Sequence, residues 1–296
     1  MLRYSSILRQ LQTSQSTALR LGPVNGWCSP GLFPAAFNQQ GQIRPGYYQE
    51  MARHYPYLNF DGIMLQNHFG LPANDVLQKI ILSKTFLSSL ANCLILKDCK
   101  ALTHLDLSFN HLGNPASMFM LGAICQARKN TLEELDLEGI NLAHAEWEFI
   151  DTLIADESVL QSLCLSDCSV TNDQAASLAY NLRVKKPPLR KISMTDNPDI
   201  KPARLLQILE ALTAGQQIRE INFQGCRPFH SRHREPVLQA IISMPSLRCL
   251  ELPRHTPLDI RVDVQALLQT RASGFFKPAS RVLINDSDAN PGPNYK

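Results

Sequence analysis

An α/β solenoid of repeated strand–turn–helix units is the fold class that this sequence predicts, and three observations predict it. Segments similar to LTHLDLSFNHL, which begins at Leu102, start again at Leu132, Leu160, Leu189, Ile218 and Leu247, with successive spacings of 30, 28, 29, 29 and 29 residues. Inside each segment apolar residues at positions 4 and 6 flank a polar one, which is strand period. Between segments the apolar spacing lengthens to that of a helix.

The units follow one template, apolar at positions 1, 4, 6 and 11 with Asn or Cys at 9. The first reads Leu102, Leu105, Leu107, Asn110 and Leu112, and the second Leu132, Leu135, Leu137 and Leu142 with Ile140 in place of the Asn. The third reads Leu160, Leu163, Leu165, Cys168 and Val170; the fourth reads Leu189, Ile192, Met194 and Asn197, with Ile200 one place late. Ile218, Ile221, Phe223 and Cys226 make the fifth, and Leu247, Leu250 and Leu252 the sixth. Pro228 and Pro257 take the last apolar position in those two, so a different turn is expected there. Asn or Cys at position 9 can bond backbone groups where the strand turns away.

The helical faces come next. Ile150, Leu153 and Ile154 share one; Leu178, Ala179 and Leu182 another; Leu205, Ile208, Leu209 and Leu212 a third. Val237, Leu238, Ile241 and Ile242, then Val264, Leu267 and Leu268, complete the series. Thr171 and Asp173 mark one helix start and Pro202 the next.

These units resemble leucine-rich repeats of the ribonuclease-inhibitor type, over roughly Leu102 to Leu268. The resemblance implies a right-handed horseshoe, a parallel sheet on the concave side and helices on the convex side. It also implies a protein-binding function with no catalytic residues and no cofactor.

The composition, 44% hydrophobic and 19% charged, suits one domain with a substantial core. No apolar run reaches membrane-spanning length, so no membrane span is expected. Of the eight cysteines, Cys168 and Cys226 occupy the template position, Cys125 sits in a helix pattern, and Cys164 and Cys249 fall on the outward strand face as free thiols. That pattern suits a reducing compartment such as the cytosol.

The domain organisation expected is an irregular extension or cap over 1–54, a diverged first repeat and helical cap over 55–101, six repeats over 102–275, and a closing strand with a structureless tail over 276–296. Residues 1–49 hold no Asp or Glu, and carry Arg3, Arg9, Arg20, Arg44 and several serines. Such a start resembles a mitochondrial transit peptide, which predicts cleavage; the other reading is a cap over the first repeat. Tyr55, Leu58, Phe60, Ile63 and Leu65 match a diverged template, followed by a helical insert from Asp75 to about Leu96. Ala91, Leu94, Leu96 and Cys99 match as well, but only 11 residues separate Ala91 from Leu102, so this match is set aside. RVLIN, from Arg281, is read as the closing strand.

The outward positions of the sheet, 3, 5, 7 and 8 of each unit, carry the functional information. They hold Asp106, Glu134, Asp136, Glu138, Asp167, Asp196, Glu220 and Glu251 against Lys191 and Arg254, a formal charge of −6 in a chain of net charge +3. With His104, Phe109 and Asn222 these are the candidate partner-binding residues. Strands stack about 4.8 Å apart, within a Debye length, so the carboxylates act as one field that attracts a cationic protein. The alternative is that acids merely solvate the face.

Other features are weaker. Arg227, His230, Arg232, His233 and Arg234 form a basic run with Arg248 and Arg254 one repeat away, and no phosphate loop accompanies them; nucleic acid is not the expected partner. Cys226, His230 and His233 have metal-ligand spacing but no fourth ligand, so no metal is expected. No side-chain group assembles an acid, a base and a nucleophile, and neither catalysis nor a small-molecule substrate is expected. LPANDVLQKI, Leu71 to Ile80, resembles the opening of an F-box, which would make the chain a substrate adaptor of a ubiquitin ligase. The Gln- and Asn-containing chain with its lone repeat domain is also similar to secreted leucine-rich effectors of intracellular bacteria, which act in a host cytosol. A mitochondrial assembly factor is the third alternative. The reading adopted is a non-enzymatic module that binds a basic protein surface on its acidic face.

Overall fold

Wherever an outward polar residue brackets an apolar one at positions 3 to 5, the chain extends into a three-residue strand. A computed structural model describes residues 18–20, 57–59, 61 and 75–272, apart from 146, 155, 156 and 216. Its strands are β1 (Ala18–Arg20), β2 (Tyr57–Asn59), β3 (Lys79–Ile81), β4 (His104–Asp106), β5 (Glu134–Asp136), β6 (Ser162–Cys164), β7 (Lys191–Ser193), β8 (Glu220–Asn222) and β9 (Cys249–Glu251). They form one parallel sheet in sequence order, β1 to β9. The register is unbroken: Leu58, Ile80, Leu105, Leu135, Leu163, Ile192, Ile221 and Leu250 stand side by side. From Ile80 onward all of these centres are buried.

Among the described residues six α-helices return the chain: α1 (Pro115–Arg128), α2 (Glu148–Leu153), α3 (Asn172–Lys185), α4 (Pro202–Leu212), α5 (Arg234–Ile242) and α6 (Leu258–Ala272). The starts are chemically specified. Asn114 accepts from the Ser117 N–H ahead of Pro115, and Thr171 and Gln174 bond each other's backbone N–H in a capping box. Pro202 opens α4 as the sequence predicts. Between sheet and helices lies one continuous apolar core. The architecture is thus the predicted leucine-rich-repeat solenoid, a parallel sheet on one side and helices on the other.

Position 9 closes each turn. Asn110 donates from Nδ2 to the carbonyls of Leu82 (2.7 Å) and Leu107 (2.9 Å) while Oδ1 accepts from the Leu87 N–H (2.9 Å). Cys168 donates to the Leu137 carbonyl at 3.0 Å and Cys226 to that of Met194 at 3.0 Å, each reaching one unit back. Position 8 is left-handed in six consecutive units: Lys84, Phe109, Gly139, Asp167, Asp196 and Gly225 have φ between 52° and 74°. A Cβ at Gly225 would also meet Asp196 Oδ1 at 1.9 Å and its Cα at 2.9 Å. Gly225→Ala is therefore expected to destabilise the fold by roughly 1–3 kcal/mol in urea unfolding. A change below about 0.3 kcal/mol would show that the turn relaxes freely.

Two expectations fail between Asp75 and Leu96. The helical insert does not form; the stretch holds strand β3 and a 3₁₀ helix, Ala91–Asp98. Leu77, Ile80, Leu82 and Leu87 are a further copy of the template, all buried, with Thr85 at position 9 donating to the Leu82 carbonyl (2.7 Å). Starting 25 residues before Leu102, this unit has room for a 3₁₀ segment only. The F-box reading fails on the same residues, because 75–78 form a turn and an irregular link and 79–81 a strand, where that module needs a helix. The set-aside match at Ala91 lies in the 3₁₀ helix rather than a strand.

The different turns expected at Pro228 and Pro257 have a clear basis in the first case. Phe229, one place later, fills the core, and a 3₁₀ turn, Ser231–His233, leads into α5. Ile200 does the same in the fourth unit. In the sixth unit Leu258 at that place is exposed. The RVLIN segment lies outside the described residues, as does most of 1–54. Within 1–49, Ala18–Arg20 pairs with Tyr57–Asn59. Deleting 1–49 removes β1 and bares the edge of β2, so a lower unfolding midpoint and stronger binding of an apolar dye are expected. An unchanged midpoint would show that β1 adds nothing to the sheet.

Candidate protein-binding face

Strand alternation turns positions 3 and 5 away from the core, and parallel register stacks them into rows across the sheet. The first row runs Lys79, His104, Glu134, Ser162, Lys191, Glu220, Cys249; the second runs Asn59, Ile81, Asp106, Asp136, Cys164, Ser193, Asn222, Glu251. Together they floor an open groove of about 580 Å³. Of the residues singled out in the sequence, His104, Asp106, Glu134, Asp136, Glu138, Lys191, Glu220, Asn222 and Glu251 line this groove. Phe109, Asp167, Asp196 and Arg254 lie past the strand ends, at position 8, and do not line it.

Several of the acids have local work. Asp106 Oδ1 accepts from the Ser108 N–H and Asp136 Oδ1 from the Glu138 N–H, each at 2.9 Å, just as Asn222 accepts from Gln224 and Asn59 from Asp61. Position 5 thus favours Asp or Asn because the side chain caps the strand exit. Asp167 and Asp196 hold left-handed backbone, which Asp tolerates better than most residues. Glu134 faces His104 at 3.4 Å, Glu220 faces Lys191 at 3.7 Å, and Glu251 accepts from Asn222 at 3.1 Å. The strand missed in the sequence brings Lys79 and Lys84, and Asp61 follows β2, so the outward positions from β2 to β9 sum to −5 rather than −6.

What survives this accounting is a concentration of charge at one place. Asp106 and Asp136 are direct neighbours across β4 and β5. Burial raises the Asp106 carboxyl above its ordinary range, against the pull of its Ser108 hydrogen bonds, and the charges of Asp136 and Asp61 raise it further. Burial also raises Glu138, as do Asp136, Asp167 and Asp106, while Lys84 opposes them. A raised folded-state pKa means the fold favours the protonated form, so each group stabilises more as pH falls through its folded pKa. Glu138→Gln is expected to raise neutral-pH stability slightly and to flatten the stability profile between the ordinary carboxylate range and neutrality. A variant whose profile stays parallel to the wild type would refute the coupling.

Phe109 stands beside this cluster. It is 42% exposed, its ring covers Gly139, and the Lys84 ammonium lies 5.3 Å from the ring centroid. Phe86, also left-handed, is 59% exposed in the preceding unit. Two exposed aromatic side chains in a backbone region that suits Gly or Asp are strained without the reward of burial.

As for ions, Asp136, Glu138 and Cys164 bring ligand atoms within 4.8 Å of one another. Burial pushes the Cys164 thiol up to about 11, so at neutrality the group offers two carboxylates and a protonated thiol. Cys93 and Cys125 are pushed by burial to about 12 and Cys226 to about 11, and with Cys164, Cys168 and Cys249 they are free thiols. In the basic run, Arg227 donates to the Pro198 carbonyl (2.6 Å) and Arg234 to Asp263 (2.8 Å); His230 and His233 stack, and the His230 N–H donates to His233 Nδ1. Those groups serve the turn. Among the described residues no helix is long and apolar enough to cross a membrane.

The family model described as Leucine Rich Repeat matches residues 101–121. No curated protein matches. A solved structure, the tropomodulin C-terminal domain of Caenorhabditis elegans, is 18% identical with a TM-score of 0.45, covering 53% of this chain and 94% of that one. The family-model match falls on the unit that begins the regular array, while the solenoid itself is given by the parallel sheet and its returning helices.

Proposed function

We propose that this protein is a non-enzymatic binding module that holds a basic segment of a partner protein in the groove, where Asp106, Asp136 and Glu138 line it and Asp167 stands just past the strand end. One observation carries the reading: four carboxylates converge there without an equal number of cations, and burial together with the neighbouring acid charges raises two of them, Asp106 and Glu138, toward protonation. A cationic partner relieves that repulsion, so binding is stronger than any single contact suggests, and faster at low salt. Phe109 and Phe86 at the strand exit supply apolar anchors of the type that dominates protein interfaces. The regular unit length, with helices of 9–15 residues in all but one of the six regular units, supports the ribonuclease-inhibitor type, and free thiols support a reducing compartment.

The test follows from the geometry. Asp136 is left in place because its carboxylate caps the turn, and Glu134 and Glu138 are reversed to Lys, which moves the outward sum from −5 to −1. Affinity capture is read by mass spectrometry for wild type, this variant and the helix-side control Arg232→Glu. The expected result is a partner captured by wild type and control, released by salt, and lost by the double reversal. Capture of that partner by the double reversal, with its loss in the control, overturns the reading.

A further inference from the structure

One residue before each strand, at position 2, backbone bonds link a second column: Thr103 N–H to Gln78, Glu133 to Thr103, Gln161 to Glu133, Arg190 to Gln161, Arg219 to Arg190 and Arg248 to Arg219, all between 2.7 and 2.8 Å. The last three members are arginines in adjacent units. All three side chains are exposed, and among the described residues none has a hydrogen-bond or ion-pair partner. Two acids on the adjoining strands are otherwise engaged, Glu220 with Lys191 and Glu251 with Asn222. Lys186, in the left-handed cap after α3 and four residues before Arg190, is exposed as well.

The fold does not require arginine here. Gln78, Thr103 and Gln161 make the same backbone bonds in the same column. Like charges stacked at strand spacing repel one another, so three consecutive arginines weaken the sheet edge rather than support it. Their planar forks, held in a row, match carboxylates, which they take in paired hydrogen bonds.

We propose that Arg190, Arg219 and Arg248 form a second docking surface, at the strand-entry rim, for an acidic helix of a partner protein. Strand spacing is about 4.8 Å, and acids at i and i+4 on a helix lie about 5–6 Å apart, a mismatch that arginine side chains absorb over three rows. A nucleic acid fits worse. No aromatic residue lies within three positions of any of the three, so the strand entries that carry the arginines offer bases no stacking platform. A helix reaches the rim without crossing the acidic groove. The proposal is independent of the groove's occupant.

The test uses the full chain and a labelled alanine-based helical peptide with Glu at every fourth position, read by fluorescence anisotropy at low salt. The variants are the triple Arg190→Gln, Arg219→Gln, Arg248→Gln and a control of equal charge change, Lys201→Gln, Arg232→Gln, Arg261→Gln. Thermal midpoints of both are measured, and the rim triple is expected to match or exceed wild type. The triple is expected to lower peptide affinity at least about fivefold, the sum of three exposed charge pairs, with the control within about twofold. A peptide of the same composition with its Glu residues spread around the helix is expected to bind more weakly. The proposal is overturned if wild type does not bind the helical peptide, if both triples weaken it equally, if the spread peptide binds as well, or if single-stranded poly(U) binds more tightly and loses more in the rim triple.

Discussion

Leu163→Ala is expected to lower the unfolding free energy by about 2–5 kcal/mol, with an unchanged denaturant slope. Leu163 is fully buried at the centre of β6, between Leu135 and Ile192 in the neighbouring strands. The cost has two parts, the lost transfer of the side chain out of water and the cavity left in a core that a parallel sheet and α3 hold rigidly apart. A solenoid unit buries its apolar face only on its neighbours, so a defect in the middle of the stack is felt on both sides. Urea unfolding followed by circular dichroism reads both numbers. A loss below about 0.5 kcal/mol would mean that Leu163 does not sit in a packed layer, and a fall in the slope would mean that the two halves of the array come apart separately.

Legibility in the sequence followed the physics of each position. Buried positions were readable because burial admits few residues: from Leu102 to Leu252 the residues at template positions 1, 4 and 6 are buried, Leu252 being the partly exposed exception. The strand at Lys79 was hidden by unit length. Its template is complete, yet VLQKIIL also fits a helical face, and only the shortened 25-residue spacing, with Thr85 at position 9, distinguishes the two. At the candidate face, alternation alone identified which residues line the groove. It did not separate acids placed for a partner from acids placed for the backbone, because an Asp that caps a strand exit, as Asp106 and Asp136 do, reads like any exposed Asp. Position 8 was less legible for a related reason: Phe109, Asp167, Asp196 and Arg254 lie at the strand exit, where period-two alternation no longer sets direction. The arginine column escaped notice because position 2 lies outside the alternating stretch, and its significance depends on what the neighbouring units carry there.

Asn197→Ala is the other large loss to expect, roughly 2–4 kcal/mol. Asn197 is fully buried and uses its whole side chain. Nδ2 donates to the carbonyls of Leu165 (2.8 Å), Met194 (3.0 Å) and Thr195 (3.0 Å), and Oδ1 accepts from the Val170 N–H (2.8 Å). Two of these four groups belong to the preceding unit, so the side chain fastens one turn to the next where the chain leaves the sheet and no strand ladder can do so. Alanine leaves the Val170 N–H and the Leu165 carbonyl without that partner in a site closed to water, and a buried unpaired polar group costs more than its hydrogen bond contributes when made. Cysteine separates this account from simple loss of volume. Cys168 and Cys226 occupy the same template position and donate one unit back, so Asn197→Cys keeps one reach across the units and is expected to recover about half of the loss, whereas Asn197→Leu fills the volume and recovers none. Should leucine prove as stable as cysteine in urea unfolding, packing rather than hydrogen bonding holds the turn.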